Sequence, residues 1–96
     1  MNKDKKIVIF DLDGTLADIT SRRTLSTKTN GKMDWDIFFN PDNIDLDIPN
    51  KTVVDMASML FTKGYTIWIL SGRSDVTSQA TKNWLLKHDI WYDHLF

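Results

Sequence analysis

An α/β fold built on a short parallel sheet is predicted by three features of this sequence. Two apolar runs, at residues 7–10 (Ile-Val-Ile-Phe) and 66–70 (Thr-Ile-Trp-Ile-Leu), are rich in β-branched and aromatic residues and close in polar turns, the pattern of strands buried on both faces of a parallel sheet. A helix-length segment separates them, as a βαβ unit requires. Each run also ends in residues able to do chemistry, Asp11-Leu12-Asp13-Gly14-Thr15 after the first and Ser71-Gly72-Arg73 after the second. Reactive groups in such sheets gather at the carboxyl ends of the strands.

Taken in order, a polar lead at residues 1–6 precedes the first strand at 7–10. Residues 17–50 lack a long helical period and carry turn signals at Asn30-Gly31, Asn40-Pro41-Asp42-Asn43 and Ile48-Pro49-Asn50, so they read as loop with a short helix near residues 34–39. The first long helix is expected from Asn50, whose side chain is suited to capping, to Lys63, with Gly64 as its left-handed stop. Its inward stripe is Val53, Val54, Ala57, Leu60 and Phe61. A right-handed crossover to the strand at 66–70 sets both strand ends on one rim, Asp11 beside Ser71. A second helix is expected over residues 75–87, with Val76, Ala80, Trp84 and Leu85 on one face, and residues 92–96 read as the start of a third strand.

Composition narrows the possibilities. At 96 residues the chain holds one domain, 1–96, large enough for a small core without metal or disulfide staples. A formal net charge of -1 gives no basic field, so a polynucleotide substrate would rely on local contacts. The absence of cysteine excludes disulfides, thiolate metal sites and thiol catalysis, and suits a reducing cytosol. The apolar stretches are far shorter than the roughly 20 residues needed to span a bilayer. A cytoplasmic protein that does not engage membranes is therefore expected.

The pair DxDGT and SGR, in this order after two strands, resembles the first two motifs of the haloacid dehalogenase (HAD) superfamily of aspartate-nucleophile phosphatases. A longer stretch is similar to the 3′-phosphatase domain of phage-type polynucleotide kinases: Asp11-Leu12-Asp13-Gly14-Thr15-Leu16-Ala17-Asp18, Arg22-Arg23, Asp34-Trp35-Asp36 and Ser71-Gly72-Arg73-Ser74-Asp75. The resemblance implies a HAD-like Rossmannoid sheet with flanking helices. An alternative calcium-loop reading of the D-x-D start fails, because Leu16 and Arg22 stand where that loop needs Gly and Glu.

The resemblance implies that Asp11 is the nucleophile, forming an aspartyl-phosphate, and that Asp13, whose side chain returns to the same side of an extended backbone, is the general acid and base. It implies phosphate binding by Leu12, Gly14, Thr15, Ser71 and Gly72, where the lack of a Cβ on glycine lets main-chain amides approach closely. The implied cofactor is Mg2+, held by the Asp11 carboxylate and the Asp13 main-chain carbonyl, an oxygen-only set that suits a hard cation and disfavours zinc. Arg22 and Arg23 read as a solvated pair that in this loop is also placed for substrate contact, and Arg73 as a further charged donor.

Other conspicuous residues call for no chemistry. Trp35, Phe38 and Phe39 read as a hydrophobic lid, although Trp35 also suits stacking on a base. Trp68, Trp84 and Trp91 read as core, and His88 and His94 lack a metal-ligand partner at useful spacing. The third-motif cation and fourth-motif acidic pair of the family are not identifiable. The expected fold is thus C-terminally incomplete, with an open sheet edge suited to self-association.

The function expected is a magnesium-dependent phosphomonoesterase whose partner is a phosphorylated nucleotide or nucleic-acid end. The alternatives are a non-catalytic or truncated HAD-like domain that binds phosphate or a partner, and a 5′-nucleotidase or small-metabolite phosphatase.

Overall fold

The computed structural model describes residues 6–96, so most of the polar lead lies outside the described residues. Five strands and four helices follow in the order β1 (Ile7–Asp11), β2 (Ala17–Asp18), α1 (Thr20–Ser26), α2 (Trp35–Phe38), β3 (Ile48–Pro49), α3 (Lys51–Thr62), β4 (Thr66–Leu70), α4 (Ser78–Lys87) and β5 (His94–Leu95). Two 3₁₀ stretches, Pro41–Leu46 and Asp75–Thr77, lead into β3 and α4.

The main sheet has the order β1-β4-β5 and is parallel throughout. β1 and β4 run in register from Ile7 opposite Thr66 to Asp11 opposite Leu70, which brings Asp11 and Ser71 to the same rim, as the two motifs require. The ladder continues one step further, with the Leu12 amide donating to the Leu70 carbonyl at 3.0 Å. At the opposite end the Asp93 carboxylate accepts from the Ile67 amide at 2.7 Å, fixing where β5 begins.

Alternation sorts the two strands. Val8, Phe10, Ile67 and Ile69 point to one face, where Phe10, Ile67 and Ile69 are buried with Ala57 of α3 and Trp84 and Leu85 of α4. The other face does not match the expectation of burial on both sides: Ile7, Ile9 and Leu70 are 48%, 53% and 44% exposed. Strand order explains this. The sheet grows in one direction from β1 through β4 to β5, and right-handed crossovers in one direction set both helices on one face. On the other face Trp68, expected in the core, is half-buried against the rings of His94 and Phe96.

The two long helices fall where periodicity placed them, with local differences. Asn50 stands at the start of α3 without a side-chain capping bond; its amide instead donates to the Leu16 carbonyl at 2.8 Å, tying the helix to the first loop. Gly64 ends the helix at φ +93°, in the left-handed region that glycine reaches without a Cβ clash. Phe61 is partly exposed rather than inward and stacks on Trp91, ring centroids 6.4 Å apart, so Trp91 too lies at the surface rather than in the core. Residues 75–77 form a 3₁₀ turn, which rotates Val76 out to 71% exposure and buries Thr77 in its place.

Residues 17–50 are far more ordered than a loop. β2 and β3 pair antiparallel, Ala17 with Pro49 and Asp18 with Ile48, closing the excursion at its base. Within it α1 buries Arg22 and Ser26, while α2, capped by the Asp34 carboxylate on the amides of Asp36 and Ile37, buries Phe38. The three aromatics pack on one another, Trp35 stacked with Phe39 at 5.7 Å and Phe38 edge-on to both. Phe38 faces inward, and Trp35 remains exposed.

One-sided burial predicts an asymmetry between neighbouring strand residues. Ile69→Ala is expected to cost about 2–5 kcal/mol, the usual price of a buried cavity, and Ile9→Ala less than about 1 kcal/mol. Urea denaturation midpoints of the two variants test it.

Candidate active site

The first loop is closed by its own main chain. The Gly14 amide donates to Ala17 at 2.8 Å and the Ala17 amide to Leu12 at 2.9 Å, a turn that needs Gly14 at φ +84°. Leu12 and Leu16 plug the core with no exposed surface, so alternation turns Asp11 and Asp13 the other way. The second loop mirrors the first: the Ser71 amide donates to Phe96 at 2.8 Å and the Arg73 amide to the Ser71 hydroxyl at 3.1 Å.

This wiring decides which donors are left for a ligand. The amides of Leu12, Gly14 and Thr15 are spent within the protein, on Leu70, Ala17 and Leu12. Leu12 and Gly14 were expected as phosphate-binding; in this structure their amides hold the turn. Among the described residues the amides of Asp13 and Gly72, and the hydroxyl hydrogens of Thr15 and Ser71, remain uncommitted on the rim.

The two carboxylates of the first loop have opposite surroundings. Asp11 is exposed and makes no hydrogen bond or ion pair from its side chain among the described residues. Asp13 is held through a single oxygen: its Oδ1 accepts from Arg73 Nε at 3.1 Å and Nη2 at 2.5 Å, and from Arg22 Nη2 at 3.3 Å. Its Oδ2 accepts nothing among the described residues and its side chain keeps 27% exposure.

Behind Asp13 lies a carboxylate that no motif signals. Asp47, fully buried, accepts from Arg22 Nε and Nη2 and from Arg73 Nη2, each at 2.9 Å. The remaining donors are also placed: Arg22 Nη1 reaches the Phe38 carbonyl at 2.9 Å, and Arg73 Nη1 reaches the Thr81 hydroxyl at 2.9 Å. The Arg22 guanidinium lies over the Phe38 ring, 4.3 Å from its centroid. Burial pushes the Asp47 carboxyl up from the usual aspartate range, while the Arg22 hydrogen bond and the charges of Arg22 and Arg73 pull it back.

The strand-end geometry and the sequence agree with known proteins. The model of the polynucleotide kinase PNKP phosphatase domain matches residues 5–96. The chain belongs to this family of HAD-type phosphatase domains. Its structure is similar to a chain in a solved Pnkp1/Rnl/Hen1 complex, with TM-score 0.71 and 27% identity, over 99% of this chain and 29% of that one. It is also similar to a chain in a solved Pnkp1/Rnl/Hen1 RNA repair complex, with TM-score 0.70 and 29% identity, over 96% of this chain and 25% of that one. The chain thus spans less than a third of the length of these structures, and the HAD-like parallel sheet with flanking helices is shared with them.

Within this PNKP-type phosphatase domain the three arginines divide sharply. Arg22 and Arg73, expected at the substrate, point inward to the buried carboxylates, because α1 turns Arg22 toward the core and Asp47 needs cations there. Arg23, one residue on and on the outer face of α1, is exposed. It lines a cleft of about 520 Å³ together with Gly14, Asp18, Asn50 and Lys51. Asp18 in that cleft is held below the usual carboxylate range by hydrogen bonds from the Thr20 hydroxyl and amide.

For a metal, the first strand end offers two uncommitted oxygen donors, the Asp11 carboxylate and the Asp13 carbonyl, which accepts no main-chain hydrogen bond. No group of three or more metal-ligating side chains occurs among the described residues. Two protein oxygens fit magnesium, which keeps several waters and shares substrate phosphate oxygens.

The buried cluster makes a clear stability prediction. Arg22→Leu leaves Asp47 short of a cation and is expected to cost about 3–5 kcal/mol, against no more than about 0.5 kcal/mol for Arg23→Ala. Paired denaturant titrations give the comparison.

Proposed function

We propose that this domain is a magnesium-dependent phosphomonoesterase that removes the terminal phosphate from a polynucleotide 3′ end through an aspartyl-phosphate intermediate. The observation that carries the reading is the asymmetry of the two carboxylates. Asp11 is exposed and has no side-chain partner among the described residues, while Asp13 is held through Oδ1 and its Oδ2 meets no donor among them.

An Asp11 oxygen attacks phosphorus in line as the bond to the leaving oxygen breaks, giving the aspartyl-phosphate. Asp13, protonated on its free oxygen, delivers that proton to the departing 3′ oxygen. The carboxylate so produced then takes a proton from an incoming water, whose oxygen attacks phosphorus and returns Asp11 and inorganic phosphate. The amides of Asp13 and Gly72 and the hydroxyls of Thr15 and Ser71 are available donors for the equatorial phosphate oxygens. Magnesium on the Asp11 carboxylate and the Asp13 carbonyl would neutralise phosphate charge that otherwise repels the nucleophile.

The polynucleotide end is supported by family membership and by the likeness to a chain of an RNA repair complex. An exposed arginine, Arg23, in a cleft that shares Gly14 with the first loop supports the same reading, since such a cation suits a nucleic-acid backbone.

Inorganic phosphate release from a 3′-phosphorylated oligonucleotide tests the reading. With magnesium the parent releases phosphate, whereas Asp11→Asn, a far poorer nucleophile and metal ligand, shows none above background, and chelation with EDTA stops the parent. Comparable turnover by Asp11→Asn would sink the mechanism. Release from a 5′-nucleotide or sugar phosphate alone would reassign the substrate, and no release from any would favour a binding domain.

A further inference from the structure

We infer that the cleft beside the first loop seats the nucleotide next to the 3′-terminal one, with Arg23 and Lys51 on the phosphodiester that joins the two. This rests on the 3′-phosphatase reading proposed above and adds a second point of hold on the same substrate.

The cleft adjoins the proposed chemistry. Gly14, which follows Asp13 directly, is part of its lining, so one wall starts a single residue from the proposed acid. Its volume of about 520 Å³ falls in the range of sites that hold a small ligand. Two elements bring cations to it. α1 buries Arg22 and leaves the next residue, Arg23, outward. α3 begins at Lys51, and the Asn50 amide, donating to the Leu16 carbonyl at 2.8 Å, holds that start against the first loop.

Both cations are available to a ligand. The Arg23 main chain is used within α1, its amide on Ile19 and its carbonyl under the Thr27 hydroxyl, while its side chain meets no partner among the described residues. A guanidinium in that position can present two parallel N–H groups to a phosphate. Lys51 reaches Asp55 at 2.9 Å, but both side chains are largely exposed, and an exposed pair of this kind is weak enough to exchange for a phosphate.

Charge and shape point to a diester rather than to the terminal phosphate. A phosphomonoester carries about −1.5 to −2 at neutral pH, whereas each internucleotide phosphate carries one negative charge. The cleft also contains a carboxylate, Asp18, which the hydrogen bonds from Thr20 keep ionised. Its lining side chains thus set the two cations Arg23 and Lys51 against the one anion Asp18, a balance that fits a singly charged linkage. Beside them Ile48, 58% exposed, and Pro49 form an apolar wall. Such a wall suits the face of a sugar or base and gives nothing to a bare phosphate ion.

Neutralising a single linkage of the substrate tests this. Three fluorescein-labelled, 3′-phosphorylated oligonucleotides are compared: one natural, one with a methylphosphonate at the linkage next to the 3′ end, and one with the same change near the 5′ end. Anisotropy titrations in EDTA measure binding without turnover, and thermal melting checks that each variant is folded.

For the parent, the neutral linkage next to the 3′ end raises Kd about 10-fold, the scale of a lost charged hydrogen bond, and the distant one raises it less than about twofold. Arg23→Ala binds the natural oligonucleotide about 10-fold more weakly and distinguishes the three by no more than about twofold. Arg23→Lys recovers part of both, and Lys51→Ala shows a smaller loss of the same kind. The dependence of log Kd on log salt becomes shallower by about 0.7 in Arg23→Ala. In turnover with magnesium the loss appears in KM more than in kcat.

Equal binding of all three oligonucleotides by the parent would overturn the inference, as would full discrimination retained by Arg23→Ala or parent binding too weak to measure. A parent that discriminates the linkages as expected yet releases no phosphate would sink the proposed chemistry and leave this binding site standing.

Discussion

The arrangement on which the rest of this structure depends is the pairing of Asp13 and Asp47 with Arg22 and Arg73. Moving an ion out of water costs several kcal/mol even after relaxation, and removing one member of a buried pair is more costly than never having had it. Such a cluster survives only if every donor is matched, and here the matching recruits the fold: the Phe38 carbonyl from α2, the Thr81 hydroxyl and the Trp84 indole from α4. The excursion between β1 and α3 is folded as it is because it must return Asp47 to the back of the first loop. Its β2–β3 closure at Ala17 and Pro49 sets that return.

The chemistry follows from dividing two similar groups. Asp11 and Asp13 are two positions apart on one strand extension, and nothing in the pattern D-x-D says which is nucleophile and which is acid. On the proposed reading their surroundings divide them: one faces open water, and the other is pinned from behind by cations whose own charge is balanced further in. Different surroundings are what separate two carboxylates that share a site.

The parallel strands, the long helices and the meeting of the two motifs were legible because hydrophobic period and punctuation express them directly. Ile67 and Ile69 are core in the structure as in the pattern. The helix α1 was not legible, since the residues it buries are Arg22 and Ser26 and no apolar stripe marks its inner face. Asp47 was invisible for the same reason: a lone aspartate before Ile-Pro reads as a turn residue, and only its partners in space, far away in sequence, make it a counterion. Val76 failed because a 3₁₀ turn breaks the 3.6 period on which its assignment rested. That the amides of Leu12 and Gly14 are used within the turn was not legible either, being a matter of dihedral angles rather than residue type.

The bond from the Trp84 indole to the Asp47 carbonyl joins a large hydrophobic side chain of the core to the polar cluster, and the His88 ring packs on that indole, 4.7 Å between centroids. Helix α4 stands one hydrogen bond from the Asp47 counterion and two ion pairs from Asp13. Repacking of this helix during sequence drift is therefore constrained twice, once by volume and once by the direction of a single N–H. A substitution that preserves bulk but not that donor leaves a well-filled interior around a displaced charge, so packing and charge placement become separable traits at this position.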